Sequence, residues 1–405
     1  SDAAEVTKYN TNPYLADTDS GGVPDGVEVK KHKTDPLDPK DDRVELLNGQ
    51  LAGSALWACN TSRRAPANSA PAMLLIIALC VLLSRRIRAG RALVVMVLCT
   101  GTLLVSQRVE AEEGPQVSGL AFHADGQGIL GVSGPASTQV QTLVGAVYGE
   151  LQVRPLVIRG PDGDVQQELL SERALMQISA AFRPWRDLTV SLWLPLALNQ
   201  RGSWLFEPDQ SLPRTALGDI TTRLKWVMRP TQEGRFGWAF LLDFTVPTGT
   251  DESYLSGPGV SVTPGVAGGW LFSKWRVLAN AQLRLQSSRV TGEFSEGVSL
   301  VLQGGASRRL GGVLSSARFD ASVRWQTSLI APFQALYGEQ LEGVVALSWT
   351  LEQDIELQVG SGFGLWPGVG VPAIRPFVSL RYSPSGQAPK APKVVEPLGV
   401  PASGT

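Results

Sequence analysis

Four carboxylates near the N-terminus have the most specific chemistry in this sequence. Asp17, Asp19, Asp25 and Glu28 stand in DTDSGGVPDGVE, around a tight Gly21-Gly22 turn. Hard cations such as calcium take several carboxylate and carbonyl oxygens from a flexible loop, and this spacing supplies them. A solvated acidic turn without an ion is the plainer alternative. A second charged set is mixed in sign: Asp219, Arg223, Lys225, Asp243, Arg276, Arg284, Arg318, Asp320 and Arg324. Such a set can line a water-filled path with charge rings, or cross-link and close it. Both histidines (His32, His123) and all three cysteines (Cys59, Cys80, Cys99) precede residue 124. The long remainder therefore lacks the usual general base and the thiol nucleophile. No catalytic residue is assigned and no enzyme is expected; pairing of Asp219 and Asp243 with Arg223, Lys225 or Arg284 is the simpler use of those carboxylates.

The acidic loop lies inside an internal repeat. EVTKYNTNPYLADTD (5–19) and EVKKHKTDPLDPKDD (28–42) match at a constant offset of 23 residues, Glu5 against Glu28 and Pro13 against Pro36. Residues 1–48 are read as one calcium-repeat unit. This unit resembles thrombospondin type 3 calcium repeats, although Gly21 stands where that pattern usually has a further acidic residue.

Two short apolar segments follow, and both are predicted as helices. Residues 57–88 place a cysteine, Cys59, before an apolar run (72–83) and an arginine cluster at Arg85, Arg86 and Arg88. This order resembles the C-terminal sorting tail of myxobacterial surface proteins, which implies Cys59 as the processed residue. In RIRAGRALVVMVLCTGTLLVSQRVEAEEGP, residues 89–111 have the basic lead, apolar run and small-residue exit of a secretory signal, with cleavage expected after Ala111. Both runs are short for membrane helices. The expectation is that residues 1–88 resemble the end of one exported protein and residues from about 89 the start of another. A helical hairpin of the two runs, with its arginines on the cytoplasmic side, is the alternative.

Residues 112–138 read as a linker, and period-two alternation dominates from 139 to 382. In FGWAFLLDFTVP, Phe236, Trp238, Phe240, Leu242 and Phe244 share one face, while Gly237, Ala239, Leu241, Asp243 and Thr245 share the other. About twelve such runs are present, with no helical period of comparable length. The fold class is all-β, an antiparallel transmembrane β-barrel of about 12 strands. Four features favour a membrane barrel over a soluble β-sandwich. Trp226, Trp270, Trp325 and Trp349 fall near strand ends, and connections alternate short and long. Twelve strands also enclose more space than one inward layer of side chains fills. The last run, PFVSLRY, ends on Tyr382 like the terminal strand that barrel-assembly machinery recognises.

Elements such as GDITTRLKW, FLLDFTVPTGT and VSVTPGVAGGW resemble the barrel module of myxobacterial OmpA-family proteins. That resemblance implies a Gram-negative outer-membrane location, outer-membrane lipid around the barrel, and peptidoglycan as a partner through a domain absent from this chain. The Pro-rich residues 383–405 read as an extended periplasmic linker. A net charge of −1 with 18% charged residues indicates no nucleic-acid partner. The functional expectation is a structural or passive-pore envelope protein, with calcium as the cofactor of the N-terminal repeat only. A secreted β-sandwich or a calcium-dependent surface adhesion module is the alternative. The exposed-looking loop GSWLFEPDQSLP (202–213) is expected to fold back into the barrel mouth.

Overall fold

The computed structural model describes residues 5–13, 15, 18, 25–27, 29, 35–38, 50–55, 115–117, 119–122, 124–136, 142–160, 162–205, 210–250, 252–257, 259–287, 289–291, 294–311, 316–329, 338–352 and 354–384. Twelve long strands carry the fold: β2 (Leu143–Arg159), β3 (Val165–Phe182), β4 (Leu188–Gly202), β6 (Ile220–Arg229), β7 (Gly237–Val246), β8 (Ser261–Phe272), β9 (Trp275–Arg284), β12 (Ser299–Arg309), β13 (Ala317–Ser328), β14 (Gln340–Glu352), β15 (Ile355–Trp366) and β16 (Ile374–Tyr382). Short strands are β1 (Gln50–Ala52), β5 (Ala216–Leu217), β10 (Arg289–Thr291) and β11 (Phe294–Glu296). Every neighbouring pair of the twelve is antiparallel, and β16 pairs with β2 from Ile374↔Val153 to Tyr382↔Gly145. The sheet is one closed barrel rather than a two-layer sandwich.

Alternation decides what each face becomes. On β7, Ala239, Leu241 and Asp243 are buried inside, and Trp238, Phe240 and Leu242 turn outward. The outer surface exposes Val147, Leu151, Ile178, Leu192, Val266, Val323, Val345, Val359 and Val378, each at 39% or more of its full area. The interior buries Arg173, Lys225, Arg375 and Asp320 at 2% or less. An aqueous fold would do the reverse, because exposed apolar area is unfavourable in water and buried charge costs more still. The inversion makes lipid the natural solvent of the outer face.

The two rims differ. One carries the connections 183–187, 230–236, 273–274, 310–316 and 353–354, together with both ends of the barrel sheet. The other carries 160–164, 203–219, 247–260, 285–298, 329–339 and 367–373, and four of these six are longer than any connection of the first rim. Phe182, Trp226, Phe236, Trp270, Phe272, Trp275, Phe319 and Tyr382 are exposed around the short-turn rim, as an interfacial belt would be. Trp325 lies toward the long-loop rim instead, where its Nε1 donates to Glu339 Oε2 at 3.3 Å.

The barrel seam is incomplete at the long-loop rim, since β16 pairs with β2 only as far as Val153. β1 covers the remaining edge, with Gln50↔Arg159 and Ala52↔Val157 in register. Gly53 N donates to Pro367 O (2.9 Å) and Ser54 N to Val371 O (2.8 Å). A free strand edge is thereby paired.

The predicted apolar helices at 72–83 and 92–105 and the Pro-rich 383–405, except 383 and 384, lie outside the described residues. Among the described residues no helix is long and apolar enough to cross a membrane.

Candidate functional site within the barrel

The described residues of 115–136, expected from sequence as part of a linker, run through the barrel from rim to rim. The expectation of a plain connector is corrected by the composition of this stretch. Val117, Leu120, Phe122, Ala124, Ile129, Leu130 and Val132 are all at most 7% exposed, and so many apolar groups cannot face water in a simple linker.

The entry point is at the long-loop rim. Gln116 donates from its backbone N to Glu296 Oε1 (3.1 Å) and from Nε2 to Asp219 Oδ2 (3.2 Å). Val117 packs with Leu51, Leu156, Leu170, Trp204, Tyr254 and Val369 in an apolar cap over the mouth. Trp204 and Leu205, from the loop expected to fold back, are buried here, and the Trp204 and Tyr254 rings lie 4.7 Å apart. Burial raises the Tyr254 hydroxyl above the usual phenol range. Burial also pushes the Asp219 carboxyl up, opposed by bonds from Gly257 N (2.7 Å), Ser256 Oγ (2.9 Å) and Gly249 N (3.0 Å).

Lower down, barrel side chains grip the backbone of the segment. Arg173 donates to Val117 O (2.9 Å), Ser253 O (2.6 Å) and Gln200 Oε1 (3.0 Å), and no carboxylate faces it in these bonds. Gln177 Nε2 donates to Phe122 O (2.7 Å), Arg276 to Gly128 O (3.0 Å) and Ser322 Oγ to Leu130 O (3.2 Å). The Phe122 ring stacks on Tyr148 at 4.0 Å and sits 5.2 Å from Phe377. Ile129 and Val132 exchange backbone hydrogen bonds at 2.9 Å across a two-residue tip, Leu130-Gly131, where both residues have positive φ (45° and 87°). That is the tight hairpin geometry that favours glycine, so Leu130 is held there by burial.

The exit toward the short-turn rim is charged. Lys225, fully buried, pairs with Asp125 and donates to Ala136 O at 2.7 Å. Arg223 forms a two-bond pair with Asp243, both bonds at 2.6 Å, and its third nitrogen reaches Ser133 Oγ at 2.5 Å. A charge buried this deeply is strongly destabilising once its partner is removed.

All nine charged residues named from sequence as lumen-lining sit on inward positions or, for Asp219, at the mouth. Arg223, Lys225 and Asp243 meet around residues 125–136. Arg318 and Asp320 join Glu356 and Arg381 in a separate network, with Arg318–Asp320 and Arg318–Glu356 both at 2.9 Å. Arg276 holds Gly128, whereas Arg284 and Arg324 line the upper lumen on β9 and β13. Sequence reading missed Arg173, Arg375, Glu150 and Glu342. Arg375 pairs with Glu150 and Glu342 at 2.9 Å each, and Tyr148 donates to Glu150 at 2.5 Å. The signal was present: each is a charged residue on the inward phase of an alternating strand.

Of the four acidic residues named for calcium, only Asp25 is described. It is buried and accepts from Thr18 N (2.7 Å) and Thr18 Oγ1 (2.6 Å). Asp17, Asp19 and Glu28, together with Cys59 and Ala111, lie outside the described residues. Among the described residues no group of three or more His, Cys, Asp or Glu side chains is placed to hold a metal.

No family model and no curated protein matches the sequence. Several solved structures are similar to part of the chain. A COG4313 outer membrane channel from Pseudomonas putida F1 is 15% identical, with a TM-score of 0.47, covering 61% of this chain and 97% of its own. The NanC porin is 9% identical (TM-score 0.38; 60% of this chain, 98% of its own), and the KdgM porin is 10% identical (TM-score 0.36; 59% and 98%).

Proposed function

We propose that this chain is an outer-membrane β-barrel pore whose lumen is filled by its own residues 115–136. The observation that carries the proposal is the inverted polarity of the barrel. Its outer face is apolar with an aromatic belt at one rim, and its inner face holds charges that grip the backbone of a threaded segment. Lipid fits the first surface, and only water or a bound chain satisfies the second. Short turns then face the periplasm and long loops face outward.

The inner bonds are polar and are made largely to carbonyl groups, which water can replace. Passage of small solutes requires the segment to leave, and the burial of Val117, Leu120, Phe122, Ile129, Leu130 and Val132 opposes that departure. With the segment seated, the barrel is a closed structural element; with it withdrawn, the same charged walls line a water path. No catalytic chemistry is assigned to it. Calcium binding by Asp17, Asp19, Asp25 and Glu28 is proposed separately, from their spacing in the repeat. Calorimetric titration of a 1–48 peptide with calcium tests that part, and silence there would remove it.

Location is the first test of the barrel reading. The protein should fractionate with the outer membrane and show the shifted gel mobility of an unboiled barrel. Recovery in a soluble fraction would remove the pore reading.

A further inference from the structure

The upper edge of β2 holds a strand that the barrel does not need for closure. The ladder from β16 ends at Ile374↔Val153. The loop before β16 continues the cover as far as Pro155, with Ala373 N donating to Val153 O (2.9 Å) and Gly370 N to Pro155 O (3.1 Å). Residues 157–159 are left to β1, through Gln50↔Arg159, Leu51↔Ile158 and Ala52↔Val157. β1 ends at Ala52 and β2 begins at Leu143, so no tight turn forces the two together.

The seat is built on both sides of the strand. β2 supplies one ladder, and the 367–371 loop supplies the other flank, where Gly53 N donates to Pro367 O and Ser54 N to Val371 O. The buried Arg159 donates from Nε (3.4 Å) and Nη2 (3.3 Å) to Gly53 O. Main-chain bonds of this kind give an added strand its affinity, and the pockets for its side chains give it specificity.

Those pockets are narrow. Leu51 joins the apolar cap with Ile158, Val117 and Val369, and Ala52 is fully buried with Val157. A Cβ on Gly53 would stand 2.2 Å from Gly368 O and 2.4 Å from Val371 O, two backbone atoms that cannot swing aside. Ser54 is buried, and a Cβ on Gly364 would meet its carbonyl oxygen at 2.2 Å. The seat thus selects an apolar residue, a small one, glycine and a small one, in that order. Only Leu51 brings much apolar area, so binding rests mainly on backbone bonds that a free peptide makes equally well.

We propose that the upper edge of β2 and the 367–371 loop form a strand-addition site for an extended peptide of the form apolar-small-glycine-small, filled by residues 51–54 as an exchangeable ligand. The occupant is this chain's own segment, and the same sequence supplied from solution enters once that segment is displaced. The site goes beyond the pore reading, since it needs the barrel edge and not an open lumen. Because Leu51 and Val117 share the cap, an occupied seat also holds the top of the threaded segment.

The probe is a fluorescent peptide, QLAGSA, with the sequence of residues 50–55, added to the full chain refolded in detergent. Anisotropy reads its binding, and unboiled gel mobility reports whether each protein has folded. The wild-type seat is already filled by a tethered segment. The peptide should therefore bind it at least about tenfold more weakly than it binds a Gly53→Val chain, whose own segment cannot seat. A chain lacking residues 50–54 frees the seat without a clash and should bind as tightly, which keeps the test open where Gly53→Val does not fold. The same peptide carrying Gly53→Val should bind neither variant. Folded variants that ignore QLAGSA, or take the valine peptide as readily, would overturn the site. Equal binding by wild type and variants would also overturn it, because the wild-type seat would then stand empty. A wild-type dimer dissolved by the peptide would assign the seat to a second copy's segment, against the proposal. A wild type without the unboiled mobility shift removes the barrel reading and the site with it, whereas a shifted chain that ignores the peptide in both variants removes the site alone.

Discussion

The lower and upper halves of the same lumen satisfy their charges to different extents. In the lower half Lys225 has Asp125, Arg223 has Asp243, and Arg318 shares Asp320 and Glu356. In the upper half Arg375 is held by Glu150 and Glu342, while Arg284 and Arg324 stand beside water-sized cavities, with the unsatisfied Ser299 and Ser328 hydroxyls on the Arg284 side. The threaded segment makes the difference. In the lower half it supplies Asp125 and a series of carbonyls, whereas at the upper cavities it contributes Gln116 alone. An interior of this kind is stabilised by its contents as much as by its strands.

That contrast can be broken from the lower half first. Asp125→Asn leaves the Lys225 ammonium buried without a counter-charge, and such loss costs about 3–5 kcal/mol. The segment is expected to leave the barrel in this variant, seen as new protease sensitivity within 115–136 while the barrel itself stays resistant. Phe122→Ala removes the ring between Tyr148 and Phe377 and weakens seating by about 3 kcal/mol, with the same readout at a lower extent. Arg173→Met deletes three bonds to the mouth and the segment, and about 1.5–3 kcal/mol is expected for their loss. The smallest effect belongs to the upper half. Arg284→Gln removes no described bond, so the melting temperature of the barrel should stay within a few degrees of wild type. A large fall in melting temperature would mean that Arg284 is structural.

The seam offers a different check. Residues 50–54 pair with the free edge of β2, although a signal-like stretch separates them from the barrel in sequence. N-terminal sequencing of the protein from an outer-membrane fraction decides whether they remain attached. A chain beginning near Glu112 lacks this cover and leaves residues 154–159 with an open edge. Peptides running unbroken from Arg63 to Val117 show a single polypeptide that keeps it.

The strands were legible because alternation is a local property: large apolar residues recur at every second position through stretches of β7 and β13, and polar or small residues fill many of the positions between. All twelve strands, the rim asymmetry and the inward phase of Arg223, Lys225 and Asp243 follow from it. The filling of the lumen was not legible in the same way. Its residues combine apolar pairs with glycines and lack a period long enough to name an element, as in GILGVSG (128–134). Their signal lay in an apparent contradiction, a linker too apolar to be wet. The pairing of Asp125 with Lys225 joins residues 100 positions apart, and no local pattern announces such a contact.

The most direct test of the account is the conductance of single barrels with and without residues 115–136, in planar bilayers at fixed salt. The full chain should conduct in rare, small steps, and the deletion variant should hold a steady open level. Equal conductance from both proteins would contradict the account, since the threaded segment would then not be what fills the path.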